Sequence, residues 1–299
     1  MHHLPRQFVE YELPIPNPGP YGISVSRDGT IWSTLQRANA IARISDTGEM
    51  ATFPLPTADA GPMVITPGPD GRQWFTEYQA GRIGWVAPDG EIGEHALPAP
   101  SAAPYGIVMG PDEAIWLTLM GRNAIGRFCP ADERFDEVPV PTSDSFPSMI
   151  TAGPDGTLWF TENQGNHIGR ITTSGEVTEI ALPKGISGPV GITVGPDGCV
   201  WFVAIATNSV GRLRPDDASI QHWRLSDTDA RPHAIAPGVD NDLWFTEWGA
   251  SRIGRITIHG DIETYPIPTA GAEPHGLIVG PDGSVWFAEE VGKIGRLVP

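Results

Sequence analysis

Two short segments near the C-terminal end carry the residue types of an acid–base site. Arg231-Pro232-His233 and Glu273-Pro274-His275 place a histidine after a proline twice, 42 residues apart, and a second acid, Glu290, follows Glu273. A histidine exchanges a proton near neutral pH. Two carboxylates on rigid strands are a minimal protein site for a hard divalent cation. Mg²⁺ takes one or two carboxylates and keeps water for a substrate to displace. Glu273 and Glu290 are therefore candidate metal ligands, His275 is the candidate proton-transfer group, and His233 stands at the equivalent place one repeat earlier. The plainer alternative is a polar mouth that solvates a few charges. The chain has no HExxH, GxSxG or Walker signature, so zinc-protease, serine-hydrolase and P-loop readings lack support.

The elements that must hold these groups are set by a repeat. Trp32, Trp74, Trp116, Trp159, Trp201, Trp244 and Trp286 are spaced by 42, 42, 43, 42, 43 and 42 residues. A strict period of this length marks a stacked or circular array. In the fourth copy, Ser148 to Ala152 is a short apolar run and Gly153-Pro154-Asp155-Gly156 is a turn. Thr157 to Thr161 is β-branched and aromatic, Glu162 to Asn166 is a polar loop, His167 to Ile171 is a third strand, and Glu176 to Leu182 alternates as a fourth. Four short strands per period make one blade of a β-propeller.

The expected fold class is all-β: a seven-bladed β-propeller with four-stranded blades, residues 1–299 forming one domain. The repeated tryptophan is expected to pack between blades. The glycine of each Ile-Gly-Arg third strand is expected to permit close blade-to-blade approach. The last copy stops after its third strand, while Phe8 to Pro14 matches fourth strands such as Ile262 to Pro268. The N-terminal strand, residues 7–14, should therefore complete blade 7 and close the ring.

Seven copies also show where the repeat is broken. Each blade opens on a proline, and the next residue varies: Tyr21, Met63, Tyr105, Ser148, Val190, His233 and His275. In a propeller the first strand is innermost and starts at one mouth of the channel. The loop from strand 2 to strand 3 opens on the same face, so both variable places converge on one bowl. The third residue after Trp is Glu in four copies, Glu77, Glu162, Glu247 and Glu289, which marks it as part of the repeat. At the next position only the seventh copy has an acid, Glu290. That singles out Glu290, and not Glu289, beside Glu273. His95, His167, His222 and His259 fall away from the bowl and read as surface residues. His2 and His3 read as a flexible end.

Composition excludes several classes. With 36 acidic against 19 basic residues the formal net charge is -17. No nucleic-acid or anionic-membrane partner is expected, since both need a basic face. Cys129 and Cys199 lie in different repeats and form no CxxC, which leaves a disulfide framework or a zinc site without support. The chain has no apolar run long enough to span a membrane, and its N-terminus lacks the apolar core of a signal peptide. The expectation is a reduced, cytoplasmic protein. A closed ring needs no partner, so a monomer is expected.

Over its whole length the chain resembles the streptogramin B lyases, also called virginiamycin B lyases. The resemblance rests on seven repeats of the Pro-x-Gly-Ile, Trp-Phe-Thr-Glu and Ile-Gly-Arg type. More specific are Ala230-Arg231-Pro232-His233-Ala234-Ile235, the run Asp242 to Ala250, and Glu273-Pro274-His275-Gly276 followed by Trp286-Phe287-Ala288. It implies a Mg²⁺-dependent carbon–oxygen lyase that linearises cyclic hexadepsipeptide antibiotics and so confers resistance. The ester closing the ring would be cleaved by elimination, with no water consumed. Carried over, Glu273 and Glu290 would ligate Mg²⁺, His275 would be the catalytic acid/base, and His233 would bind substrate near the ester. The loop before the seventh Trp is one residue longer than the family pattern. Counting from Glu273 would select Glu289, whereas alignment on Trp286-Phe287-Ala288 selects Glu290.

Trp248, Tyr21 and Tyr105 lie on the same face, placed either to stack on such a substrate or only to pack. The division of acid and base between the two histidines stays open. Two other readings also stand: a metal-dependent lactonase that hydrolyses the ester, and a propeller that only presents a binding face.

Overall fold

The computed structural model describes residues 6–45 and 48–299; His2 and His3 lie outside them. The described residues form seven four-stranded antiparallel sheets, one for each of the seven regularly spaced tryptophans. Six blades are consecutive in the chain. The seventh is built from Pro274–Val279, Val285–Glu289 and Lys293–Val298, with Gln7–Glu12 as its outermost strand. The N-terminal strand pairs with the C-terminal one from Gln7 opposite Val298 to Glu12 opposite Lys293. It stops short of the expected residue 14, where Pro14 has no N–H to donate to a ladder. The innermost strand of blade 7 packs against that of blade 1, Pro20–Val25, which closes the ring. No helix among the described residues is long and apolar enough to cross a membrane.

The repeat has a chemical logic. Each tryptophan is buried in an apolar cluster shared with the following blade: Trp74 with Ile107 and Ile115, and Trp286 with Ile23 and Ile31. In the third copy the turn aspartate Asp112 accepts the Trp116 indole N–H at 2.9 Å and pairs with Arg127 at 2.8 Å. The Arg127 guanidinium lies 5.8 Å from the Trp116 ring. Turn, tryptophan and third-strand arginine are thus one interlocked set.

The third-strand glycine works differently from the expectation. A Cβ on Gly169 would lie 2.1 Å from the Phe160 ring, and one on Gly254 2.1 Å from Phe245. Phe160 and Gly169 are cross-strand partners within one blade. The glycine makes room for a phenylalanine of its own sheet. Close blade-to-blade approach falls instead to the glycine of Pro-x-Gly. A Cβ on Gly22 would lie 2.4 Å from the Met63 carbonyl of the next blade.

Buried carboxyl pairs are a second repeated feature. Glu77 and Glu162 are fully buried. Burial first, then the charge of Glu94 and of Glu179 respectively, pushes each up to about 8. Glu94 and Glu179 each accept two bonds from a threonine, Thr57 and Thr142. The inner acid of each pair therefore keeps its proton in the folded protein at neutral pH and loses it on unfolding. Its contribution to stability is full below about pH 4.5 and is lost as pH rises through about 8. Urea melts should show a lower midpoint at alkaline than at mildly acidic pH. Glu77→Gln with Glu162→Gln should flatten that difference; a double variant with the wild-type pH dependence would contradict this account.

Candidate active site

The residue after each blade-opening proline sits in a β-bulge. In blade 7, Pro274 pairs with Glu289 but Leu277 with Phe287, so the inner strand carries one extra residue. Blade 6 repeats this between Pro232 and Ile235. A bulge re-aims the side chains within it. Here it brings together side chains from four blades, 1, 3, 6 and 7. The His233 and His275 rings lie 4.8 Å apart and nearly perpendicular. The Tyr21 ring stacks on His275 at 4.3 Å. The Tyr21 and Tyr105 hydroxyls are 2.5 Å apart, with His233 Nε2 at 3.3 and 3.4 Å from them. Trp248, in a short 3-10 turn, lies 6.1 Å from His275, and its buried indole N–H has no partner among the described residues.

The backbone around the histidines is held by one threonine. Thr246 Oγ1 accepts from Ala234 N at 2.9 Å and donates to the His275 carbonyl at 3.0 Å, which ties blade 6 to blade 7. Thr118 makes the same link between blades 3 and 4, through Gly106 N and the Ser148 carbonyl. Each link is worth about 1–3 kcal/mol when its buried partners are left unpaired. Thr246→Val should therefore cost about as much stability as Thr118→Val but far more activity. Equal activity in the two variants would show that this link does not position His275.

The carboxylates are placed by blade 7. Glu290 Oε2 lies 2.6 Å from His275 Nε2, and Glu290 Oε1 is paired with Arg37 of blade 1. The hydrogen bond from His275, with the charges of His275 and Arg37, holds Glu290 below the usual carboxylate range despite partial burial. Glu273 is tied to Glu290 through the backbone, Glu290 N donating to the Glu273 carbonyl at 3.3 Å. The Glu273 carboxylate has no hydrogen bond or ion pair among the described residues. Its backbone is left-handed, φ 49°, which costs an L-residue roughly 1–2 kcal/mol. All seven residues before a blade-opening proline share this conformation, and three of them are glycine. Blade 7 keeps a glutamate there despite the cost.

His233 and His275 differ electrically. Desolvation, reinforced by the neighbouring His275, lowers His233 to about 3. Burial raises both phenols, Tyr105 to about 12 and Tyr21 well above its usual value. The two phenols stay protonated at neutral pH, bonded to each other and each within hydrogen-bond reach of His233 Nε2. His233 Nδ1 is buried without a partner among the described residues. Tyr105 and His233 border both a bowl of about 440 Å³ and a channel cavity of about 290 Å³. The bowl is also lined by Met63, Tyr78, Met120 and Ile205, while Tyr21 lines the channel cavity.

All seven residues singled out in the sequence are brought to this mouth. Glu289, the alternative to Glu290, is fully buried and faces Glu10, away from it. His95 and His167 are half-buried, His95 lying 5.0 Å from Phe128, so they are less peripheral than expected. The sequence reading missed Arg37. Its signal was present: five residues after each Trp stand Arg37, Gln79, Gly121, Gln164, Ala206, Gly249 and Val291, and only one is charged.

Among the described residues no three His, Cys, Asp or Glu converge as a metal cluster. The candidate oxygen donors are the Glu273 and Glu290 carboxylates, whose residues are joined through the backbone. Hard oxygen donors in that number suit Mg²⁺ completed by water or substrate, and do not suit zinc.

These features define the class: a seven-bladed propeller enzyme with a histidine–carboxylate centre at one mouth of its channel. Within that class the chain belongs to the virginiamycin B lyase family, whose model matches residues 6–297. Virginiamycin B lyase of Staphylococcus aureus, in its selenomethionine form, superposes with a TM-score of 0.94 at 47% identity, covering 98% of this chain and 99% of that one. A catalytically inactive histidine-to-alanine variant of the same lyase with quinupristin gives 0.91 at 46% identity, covering 98% and 100%. A virginiamycin B lyase of Bacillus licheniformis is 51% identical over 44 residues, and this match spans 15% of either chain. The WD40 repeats of RRP9, at 9% identity and a TM-score of 0.78, share the fold alone.

Proposed function

We propose that this protein linearises streptogramin B antibiotics by Mg²⁺-dependent elimination at the ester that closes their ring. The observation that carries the reading is the 2.6 Å contact of His275 with Glu290 beside the uncommitted Glu273 carboxylate. The S. aureus relative with quinupristin, at 46% identity over nearly the whole chain, supports the substrate class.

The residues divide the work as follows. The reaction removes the proton α to the threonyl carbonyl. The electron pair forms the Cα=Cβ double bond, the Cβ–O bond breaks, and the ester leaves as a carboxylate beside a dehydrobutyrine residue. His275 takes the α proton. Its Nδ1 is buried and carries the neutral ring's proton, so the free Nε2 takes the α proton, and the 2.6 Å bond from Nε2 to Glu290 then holds the imidazolium that forms. Glu290 and the stacked Tyr21 ring fix the imidazole. His233, lowered to about 3, is too weak a base for this step at neutral pH, and fits instead as a neutral wall beside the ester. Trp248, whose ring lies 6.1 Å from His275, would offer an aromatic face beside the ester. Tyr105 and His233 border the bowl, which would receive the remaining ring side chains, and Tyr21 lines the channel cavity beside them. Glu273 and Glu290 would hold Mg²⁺, which when bound polarises the carbonyl next to the acidic proton.

Incubating the protein with a streptogramin B, with Mg²⁺ or with EDTA, tests this by chromatography. Loss of the cyclic compound with Mg²⁺ alone is expected. Turnover undiminished by EDTA would contradict the cation reading, and no turnover in either arm would contradict the substrate assignment.

A further inference from the structure

The cation site has a positive charge built into it by the neighbouring blade. Arg37 reaches across the closure seam from blade 1, pairs with Glu290 Oε1, and lies 3.4 Å from the Glu290 carbonyl through Nη1. Its aliphatic stem needs a glycine beneath it: a Cβ on Gly19 would lie 2.7 Å from Arg37 Cγ. Gln79 sits over Gly61 in the same way in blade 2, with Cγ at 2.8 Å. The packing is thus shared by blades 1 and 2, and the charge is particular to the copy that faces Glu290. The loop backbone is fixed, with Gln36 N bonded to the Gly19 carbonyl at 2.9 Å and Ala38 N to the Pro18 carbonyl at 3.2 Å. The Arg37 side chain is 41% exposed, so it can swing into solvent without moving the blade.

We propose that Arg37 is the resident counter-charge of this site: it holds Glu290 while no divalent cation is bound and releases it when one binds. The inference rests on the reading that Glu273 and Glu290 ligate a cation. A guanidinium and a divalent ion on one carboxylate repel each other, so each weakens the other's hold. Arg37 thereby keeps cation affinity low and keeps Glu290 in place when the cation leaves.

Mn²⁺, a hard ion that stands in for Mg²⁺, gives a readout independent of turnover. Free Mn²⁺ would be titrated by electron paramagnetic resonance against wild type, Arg37→Gln and Arg37→Lys. Arg37→Gln copies the Gln79 packing over Gly61 and so preserves the fold. Removing the charge should lower the Mn²⁺ Kd roughly tenfold, while Arg37→Lys should stay within about twofold of wild type. Unchanged or weaker binding by Arg37→Gln would overturn the role of Arg37 and leave the cation site standing. Absence of Mn²⁺ binding in all three proteins would overturn the cation site and this inference with it.

Discussion

Replacing His275 by alanine is expected to lower kcat by about 10²–10⁴-fold, the usual worth of a positioned proton-transfer group. The ring contributes to packing as well as chemistry, since it is 7% exposed and stacked on Tyr21. His275→Gln, which fills more of the space without an imidazole, should lose as much activity with a smaller change in melting temperature. His233→Ala offers the contrast. A ring whose protonation is lowered to about 3 does not act as the base, so its loss should raise KM more than it lowers kcat. If His233→Ala proved as damaging to kcat as His275→Ala, with KM unchanged, the division of roles between the histidines would be reversed.

Glu290→Gln is expected to reduce kcat/KM by roughly 10³-fold, because one substitution removes a cation ligand and the partner of His275 Nε2. Chelation of the wild-type protein should produce a loss of similar order that excess Mg²⁺ reverses, whereas excess Mg²⁺ should restore little to the variant. Glu289→Gln should retain activity, since that acid is buried against Glu10 and does not face the mouth. Steady-state kinetics on the two neighbouring variants separates the assignments. Loss in Glu289→Gln with Glu290→Gln spared would move the ligand by one residue.

The ring and its closure were legible because the sequence repeats. Seven copies let one position be compared with six others, and the position that departs from the rest in charge is the one that faces the mouth. Local pairings that depend on side-chain shape were less legible. The third-strand glycine reads equally well as a blade contact or as room for Phe160, and only the cross-strand register of Phe160 with Gly169 decides. Contacts across the ring were beyond a linear reading. Tyr21 meets Tyr105 across 84 residues of chain, and Arg37 meets Glu290 across 253. These distances depend on how many blades close the circle and on the bulge that turns each inner strand, and no local propensity carries that information. Tyr21 and Tyr105 were therefore read as residues of the binding face, without their bonded link to His233.

The central claim is elimination without water, and it is tested most directly by product mass in water enriched in oxygen-18. Wild-type protein with Mg²⁺ should yield a linear product of the same mass as the cyclic antibiotic, bearing a dehydrobutyrine double bond and no oxygen-18. A product heavier by one water and carrying the label would show hydrolysis, and would contradict the assignment of His275 as the base that removes a carbon-bound proton.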